Sequence, residues 1–439
     1  MGFKLLIIQP TYYQSRENSI LHKTRKRSVV PLTLPYLAAL TPPEWDIQLV
    51  DEQLTDLDFE SRADLVALTV WTLNSFRAYD IADRFRKRGI PVIMGGPHTF
   101  FHTEEVLEHC NAVAIGEGET IWPQMLRDAA AGRLERIYRS EYLSDLQNLP
   151  VPKYELLDFR RFSVFKTFTV QTSRGCPFRC DFCSERYYLG DRYRFRPVRD
   201  VVEEIRKSEA RQLLFADSNF GGHIGHAMEI MEALIPLRLR WSALFPISIC
   251  HNKAFLDLAQ RSGLLHVNVG FESVSFEVLE QMNKKMNKAI PHGDVLADMN
   301  KRGISYSLNF IFGNDSEQED IFRSTLAFLN RNHVPVAYFN LLTPHRGSPL
   351  YEKMSAENRI INDFYIGRWP GNTCHIRPRS GNPQDLENKV RKMYADFYNL
   401  SSMIKRLPFP RSVGDLASWY INLKQMKMQF RDRENFDEI

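Results

Sequence analysis

Short apolar runs punctuate the first part of the chain, at Lys4–Gln9, Ile47–Asp51, Leu65–Val70, Val92–Gly95 and Ala112–Ile115. Amphipathic stretches with helical spacing, such as Ser75–Arg88 and Thr120–Ala131, lie between them. Runs this short and apolar on both faces predict strands covered on both sides, and their alternation with helices predicts a doubly wound parallel sheet. The pattern then restarts. A strand over Thr169–Ser173 is followed by runs at Leu213–Asp217, Trp241–Phe245, Val267–Phe271, Ser307–Phe312 and Tyr338–Leu342. Helical patterns intervene at Val198–Ser208, His226–Leu234, Lys253–Ser262 and Glu317–Asn332. Successive β/α units of this kind predict a partial parallel (β/α)6 barrel whose chemistry sits at the carboxyl ends of its strands. The last stretch reads as helical, rich in Met, Tyr, Phe and Lys, and broken by Pro408 and Pro410. The expected α/β organisation is a sheet domain over 1–140, a linker over 141–166, a barrel over 167–375 and a helical extension over 376–439.

Composition narrows the class. Of 439 residues, 44% are apolar and 25% charged, which fits a globular protein and excludes a disordered or collagen-like chain. No apolar run approaches the roughly 18 residues of a membrane helix. Met1 to Pro10 is short for a secretory segment, so a cytoplasmic location with reduced thiols is expected. The formal net charge of +4 argues against a nucleic-acid partner. Leu386 to Arg431 nevertheless holds nine basic residues against three acidic ones, and Lys23, Arg25, Lys26 and Arg27 form a second basic knot. Either cluster reads first as solvated surface, with an anionic ligand or membrane headgroups as the sharper alternative.

The strand ends of the first domain carry Gln9-Pro10-Thr11, Asp51-Glu52, Trp71-Thr72, Gly95-Gly96-Pro97-His98 and Gly116-Glu117-Gly118-Glu119. In an open parallel sheet, ligands sit beyond these ends. Gly95, Gly96, Gly116 and Gly118 either make tight turns or let the backbone approach something bulky. No Gly-x-Gly-x-x-Gly follows the first strand, which disfavours a dinucleotide. Gly-Gly-Pro-His followed by Gly-Glu-Gly-Glu resembles the cobalamin-binding domain found ahead of many radical S-adenosylmethionine (SAM) domains. The resemblance implies a corrinoid against those four glycines. The Asp-x-His-x-x-Gly signature of histidine-ligated cobalt is absent, and His22 lacks its neighbours. The resemblance therefore implies cobalamin without a protein imidazole, or a domain that kept its shape and lost the cofactor.

The sharpest signal is Arg174-Gly175-Cys176-Pro177-Phe178-Arg179-Cys180-Asp181-Phe182-Cys183. Three thiolates at C-x3-C-x2-C spacing can hold three irons of a [4Fe–4S] cube and leave the fourth open for a substrate. Zinc commonly wants four ligands from paired knuckles, and Cys110, Cys250 and Cys374 stand alone, as buried small hydrophobes do. With an aromatic residue just before the third cysteine, the loop resembles that of the radical SAM enzymes. That resemblance implies SAM bound at the open iron, reductive cleavage to methionine and a 5′-deoxyadenosyl radical, and Phe182 against the adenine. It further implies that Glu272, in Gly-Phe-Glu-Ser, reaches the ribose or amine of SAM. By the same resemblance Asp217 and Ser218 help bind the methionine end, and Phe312 with Gly313 forms the turn beneath the adenine.

The remaining residues carry less. Arg192, Arg194 and Arg196 alternate on one strand-like face and read as a solvated edge rather than a seat for carboxylates. His223, His226, His333 and His345 have no metal-binding spacing. The C-terminal helices read as core caps, with membrane-surface contact as the alternative. Proteins resembling this layout mostly methylate unactivated carbon with cobalamin. Radical cyclisation or rearrangement, as in the oxidative cyclase of bacteriochlorophyll synthesis, is the second reading, and a non-catalytic iron–sulfur protein the third. The expected partners are a small-molecule or lipid-like substrate and a reductant such as flavodoxin or ferredoxin.

Overall fold

The computed structural model describes residues 2–15, 19–141, 143–284, 287, 292–361 and 373–436. The C-terminal extension expected over 376–439 thus has its end, 437–439, outside the described residues. The chain forms two compact units. The first comprises residues 1–177 and 185–212, with 364–369 outside the description; the second comprises 178–184, 213–363 and 370–439.

Unit 1 is built on a parallel six-stranded sheet in the order Trp45–Asp51, Phe3–Gln9, Leu65–Thr69, Val92–Gly95, Ala112–Ile115, Ile137–Arg139. Successive side chains point to opposite faces, so each apolar run feeds two cores. Leu6, Ile8, Val66 and Leu68 pack with Ile81 and Phe85 of the helix Ser75–Lys87. Leu5, Ile7, Leu65 and Ala67 pack on the other face with Trp122 and Met125 of the helix Gly118–Ala130. Helices on both faces explain why these strands are continuously apolar rather than alternating. The strand Arg27–Val30 pairs in parallel with Phe162–Val170, so a strand begins inside the segment expected to be a linker.

Unit 2 contains the strands Gln212–Phe215, Arg240–Pro246, Leu264–Glu272, Tyr306–Phe312 and Val336–Leu341 in chain order across one sheet. The last four pair in parallel. The intervening helices are Ile224–Leu234, Lys253–Ser262, His292–Lys301 and Ile321–Arg331. With Phe162–Val170 this gives the six strands of the expected series in chain order. The core of unit 2 is aromatic, with Trp241, Phe245, Phe271, Phe310 and Phe339 all buried. These rings fix the strands, whose carboxyl ends carry the polar residues singled out in the sequence.

Candidate cofactor sites

The approach to the cysteines is built inside unit 1. Ser173–Arg174 bridges antiparallel to Arg194–Phe195. Arg174 reaches Glu119 at 2.6 Å and Glu117 at 3.2 Å, and Arg194 reaches Glu117 at 2.6 Å. Both carboxylates are almost wholly enclosed. Burial alone would raise the Glu117 pKa, but the two guanidiniums hold it below the ordinary value. Gly175 follows with φ of +83°, where an added Cβ would run into the carbonyl of Arg192. Only glycine fits there. The Cys176 amide then donates to the Gly190 carbonyl at 3.1 Å.

After Pro177 the chain enters unit 2, which anchors the rest of the loop. The Cys183 amide donates to the Cys180 carbonyl at 3.1 Å, and the Asp181 amide to Met282 at 3.1 Å. Leu350 donates back to the Asp181 carbonyl at 2.9 Å, and Asn283 Nδ2 to Arg179 at 2.8 Å. Cys176, Cys180 and Cys183 are half-buried, whereas Cys110, Cys250 and Cys374 are buried. Burial pushes the Cys110 and Cys250 thiols up to about 12. A thiolate is the metal ligand, so these two are poor donors. The donor set of the loop fits a three-cysteine cluster.

Phe182 lines a cleft with Met282, Asn314, Leu342 and Leu350. Glu272, ending its strand, is buried and has φ of +70°, a left-handed conformation rare for a side chain with a Cβ. Its carboxylate is ion-paired with Lys284, whose Nζ lies 5.8 Å from the centroid of the Phe182 ring. Burial would lower the Lys284 pKa, but Glu272 and the nearby Cys180 and Cys183 raise it. Lys284 thus links Glu272 to the cysteine loop. Sequence reasoning missed it, because a contact made through a left-handed residue has no periodic spacing.

Asp217 is buried and Ser218 half-buried just beyond Gln212–Phe215. Phe312 is enclosed by Phe310, Phe322 and Phe339. Its ring serves packing, so the backbone at Gly313, rather than the ring, is what the turn can offer a ligand. The Gly313 amide donates to Glu317 at 3.0 Å, and Asn314 Nδ2 reaches the same carboxylate at 3.0 Å.

In the sheet of unit 1 the strand order reverses between Phe3–Gln9 and Leu65–Thr69, the place where open sheets form a ligand crevice. Asn74 ties the two loops there: its Oδ1 accepts from the Trp71 amide at 2.8 Å and its Nδ2 donates to Pro10 at 3.1 Å. Trp71 is 56% exposed beside this link. Glu52 accepts from the Thr11 amide at 3.1 Å and is ion-paired with Arg77. A flat ring offered at the switch point, with both loops fixed, fits a large planar ligand.

Three of the four glycines sit close to neighbouring chain. An added Cβ would strike Val70 backbone at Gly96, lie 3.1 Å from Ser140 at Gly116 and 3.3 Å from Ala114 at Gly95, and meet only Leu37 at Gly118. Glu117 and Glu119 hold arginines. This corrects the solvated-edge reading of Arg194 and Arg196, because Arg196 pairs with buried Glu204 at 2.6 Å. In the N-terminal basic knot Arg27 pairs with Asp51 at 2.5 Å and Lys23 bonds the Glu52 carbonyl at 2.6 Å, while Arg25 and Lys26 are exposed. Buried His98 binds Tyr79 at 2.8 Å and Thr72 at 3.2 Å through its two ring nitrogens, which makes it a structural histidine. His22 stacks on Tyr12 at 4.7 Å and bonds Gln14 at 3.1 Å.

Residues 170–329 match the radical SAM superfamily, and residues 19–126 match the B12 binding domain. The bacteriochlorophyllide d C-12(1)-methyltransferase of Chlorobaculum tepidum is 30% identical over 421 residues, 92% of this chain and 89% of that protein. The chain belongs to the radical SAM superfamily, in its B12-binding branch. The C-8(2)-methyltransferase of the same organism is 26% identical over 93% of this chain and 94% of its own length. The radical SAM methyltransferase TsrM of Kitasatospora setae, solved with tryptophan and a SAM analogue, shares the fold at a TM-score of 0.69. That comparison covers 99% of this chain and 100% of TsrM at 16% identity. This radical SAM protein is therefore an enzyme whose relatives include methyltransferases, with the α/β sheet and partial barrel expected from its sequence.

Proposed function

We propose that this enzyme transfers a methyl group from SAM to an unactivated carbon of a large, apolar small molecule. The observation that carries the reading is the likeness to a methyltransferase along nearly the whole chain, embracing the sheet unit as well as the cysteine loop. Cys176, Cys180 and Cys183 would hold a [4Fe–4S] cluster, and the crevice beside Trp71 would hold cobalamin. When bound, the cluster supplies one-electron cleavage of SAM and cobalamin supplies a carrier for the methyl group. The chain's own part is positional. Gly175 and the Glu117–Arg174–Arg194 clamp set the entry to the loop, and Phe182 offers a ring face for adenine. Lys284 holds the Glu272 carboxylate where a ribose or amine would meet it. Asp217, Ser218 and the Gly313 backbone complete the proposed SAM contacts, and Gly95, Gly96, Gly116 and Gly118 keep the loops of the sheet close.

The overall balance takes one C–H bond, two molecules of SAM and two electrons. It yields one C–CH3 bond, S-adenosylhomocysteine, methionine and 5′-deoxyadenosine. A flavodoxin- or ferredoxin-type reductant would provide the electrons. Tetrapyrroles are the first substrate class to test, because both bacteriochlorophyllide enzymes are named for them. The test is anaerobic incubation of the reconstituted enzyme with dithionite, methyl-labelled SAM and a chlorin panel. Labelled product with equal amounts of S-adenosylhomocysteine and 5′-deoxyadenosine is the expected result. A product without label, formed with 5′-deoxyadenosine alone, would establish the cyclisation or rearrangement chemistry instead.

A further inference from the structure

Over residues 413–428 the C-terminal helix Val413–Phe436 buries polar side chains and exposes apolar ones. Its inward positions are polar: Ser418 bonds Ser305 at 2.9 Å, and Asn422 bonds Pro335 at 2.8 Å and Arg406 at 3.2 Å. Ser418 and Asn422 are buried, while Leu416 is 58% and Tyr420 68% exposed. Val413 and Leu423 are also exposed. At 100° per residue, Val413, Leu416, Tyr420 and Leu423 fall on one side of the helix, opposite Ser418 and Asn422. Ordinary packing would put leucine and tyrosine inward and serine and asparagine outward. On the inward side Arg406 bonds Asn422 and so ties in the short helix Leu400–Arg406, whose Leu400 and Ile404 are themselves exposed. Trp419 Nε1 donates to Pro408 at 2.8 Å, pinning the loop that presents Phe409 at 79% exposure.

Between 400 and 428 cations outnumber carboxylates. Lys405, Arg411, Lys424 and Lys427 are exposed. The sole carboxylate between 400 and 428 is Asp415, which accepts from the Arg411 and Ser412 amides at the helix start. No described helix is long and apolar enough to cross a membrane. An exposed apolar row beside exposed lysines, on a helix too polar to insert, offers both an acyl-side and a phosphate-side contact to a headgroup layer.

We infer that this face docks the enzyme on an anionic bilayer surface, with Leu416 and Tyr420 entering the interface and Lys424 and Lys427 meeting lipid phosphates. Each cation strengthens binding to such a surface by about five-fold. The inference is independent of the cofactor reading. It is tested by floating the full-length protein with phosphatidylglycerol–phosphatidylcholine vesicles, pure phosphatidylcholine vesicles and no vesicles. Partition onto the mixed vesicles is expected to exceed that onto pure phosphatidylcholine by at least ten-fold and to weaken with salt. Leu416→Asp/Tyr420→Asp and Lys424→Glu/Lys427→Glu should each lower it at least ten-fold with an unchanged circular-dichroism spectrum, since all four side chains are exposed. Equal flotation with and without mixed vesicles, or retention by both variants, would overturn the inference. A dimer in light scattering that Leu416→Asp/Tyr420→Asp dissolves would overturn it too, by assigning the stripe to a second copy.

Discussion

Lys284 closes an ion pair on Glu272 while Glu272 itself is held in a left-handed backbone conformation. The neighbouring Gly270 leaves room for this pair: a Cβ there would lie 2.8 Å from the Glu272 carboxylate and 3.0 Å from Lys284 Nζ. A strained residue kept in place by a buried partner is a feature that concentrates at working sites.

The first prediction concerns that carboxylate. Glu272→Gln should retain iron and sulfide but weaken SAM binding by about 10- to 150-fold, the range for losing a hydrogen bond to a charged group. Equilibrium binding to the reconstituted enzyme measures it, and unchanged affinity would remove Glu272 from the SAM site. In denaturant titrations Glu272→Gly should prove at least as stable as Glu272→Ala, because alanine inherits the left-handed strain and glycine does not.

The second concerns the cluster. Replacing Cys176, Cys180 and Cys183 together by Ala should abolish brown absorbance and SAM cleavage after anaerobic reconstitution. Replacing Cys110, Cys250 and Cys374 should leave iron content unchanged. Iron retained in the first variant would refute the assignment.

A third prediction follows from Glu117. Its folded pKa is held below the ordinary value near 4.5 by Arg194 and Arg174 against the opposing effect of burial. Stability from this group is therefore present above pH 4.5 and lost as pH falls through the depressed native value. Urea midpoints should drop across that acid range. Glu117→Gln should lose about 3–5 kcal/mol at neutral pH by leaving Arg194 buried without its carboxylate, and its acid limb should be flatter. An acid limb identical to the parent's would place the titrating group elsewhere.

The fourth concerns cobalt. Hydroxocobalamin should stay with the protein through gel filtration, and the Co(II) electron-spin spectrum should show no nitrogen splitting from a protein imidazole. His22, on the hairpin beyond the first strand, is the control. Splitting that disappears in His22→Ala would overturn the histidine-free expectation, and loss of corrinoid on the column would overturn binding itself.

The strands at Val92–Gly95 and Ala112–Ile115 were legible to the residue, because short apolar runs bounded by glycine have few other conformations. The cysteine loop stands out in the sequence by its C-x3-C-x2-C spacing. The partners of Arg194 and Arg196 were not legible, since a strand-like row of arginines looks the same in water as against Glu117 and Glu204, and Glu117 lies 77 residues away. The Glu272–Lys284 pair escaped for a related reason: it depends on a single dihedral angle that no pattern of residue types encodes. The exposed row of the last helix is not legible from residue type, because Leu416 and Tyr420 are apolar and a core-capping helix would turn them inward.

The clamp of Glu117 and Glu119 on Arg174 bears on how this chain can be cut and recombined. The carboxylates fall within the B12-binding match and the arginines within the radical SAM match, yet all of them belong to one compact unit. A chimera spliced between the two matched regions would orphan the guanidinium of Arg174, two residues from the first cysteine, and that of Arg194. Grafts that transplant residues 19–126 should therefore be chosen for the Gly-Glu-Gly-Glu turn before anything else, since the turn is the shared hinge pin of both modules.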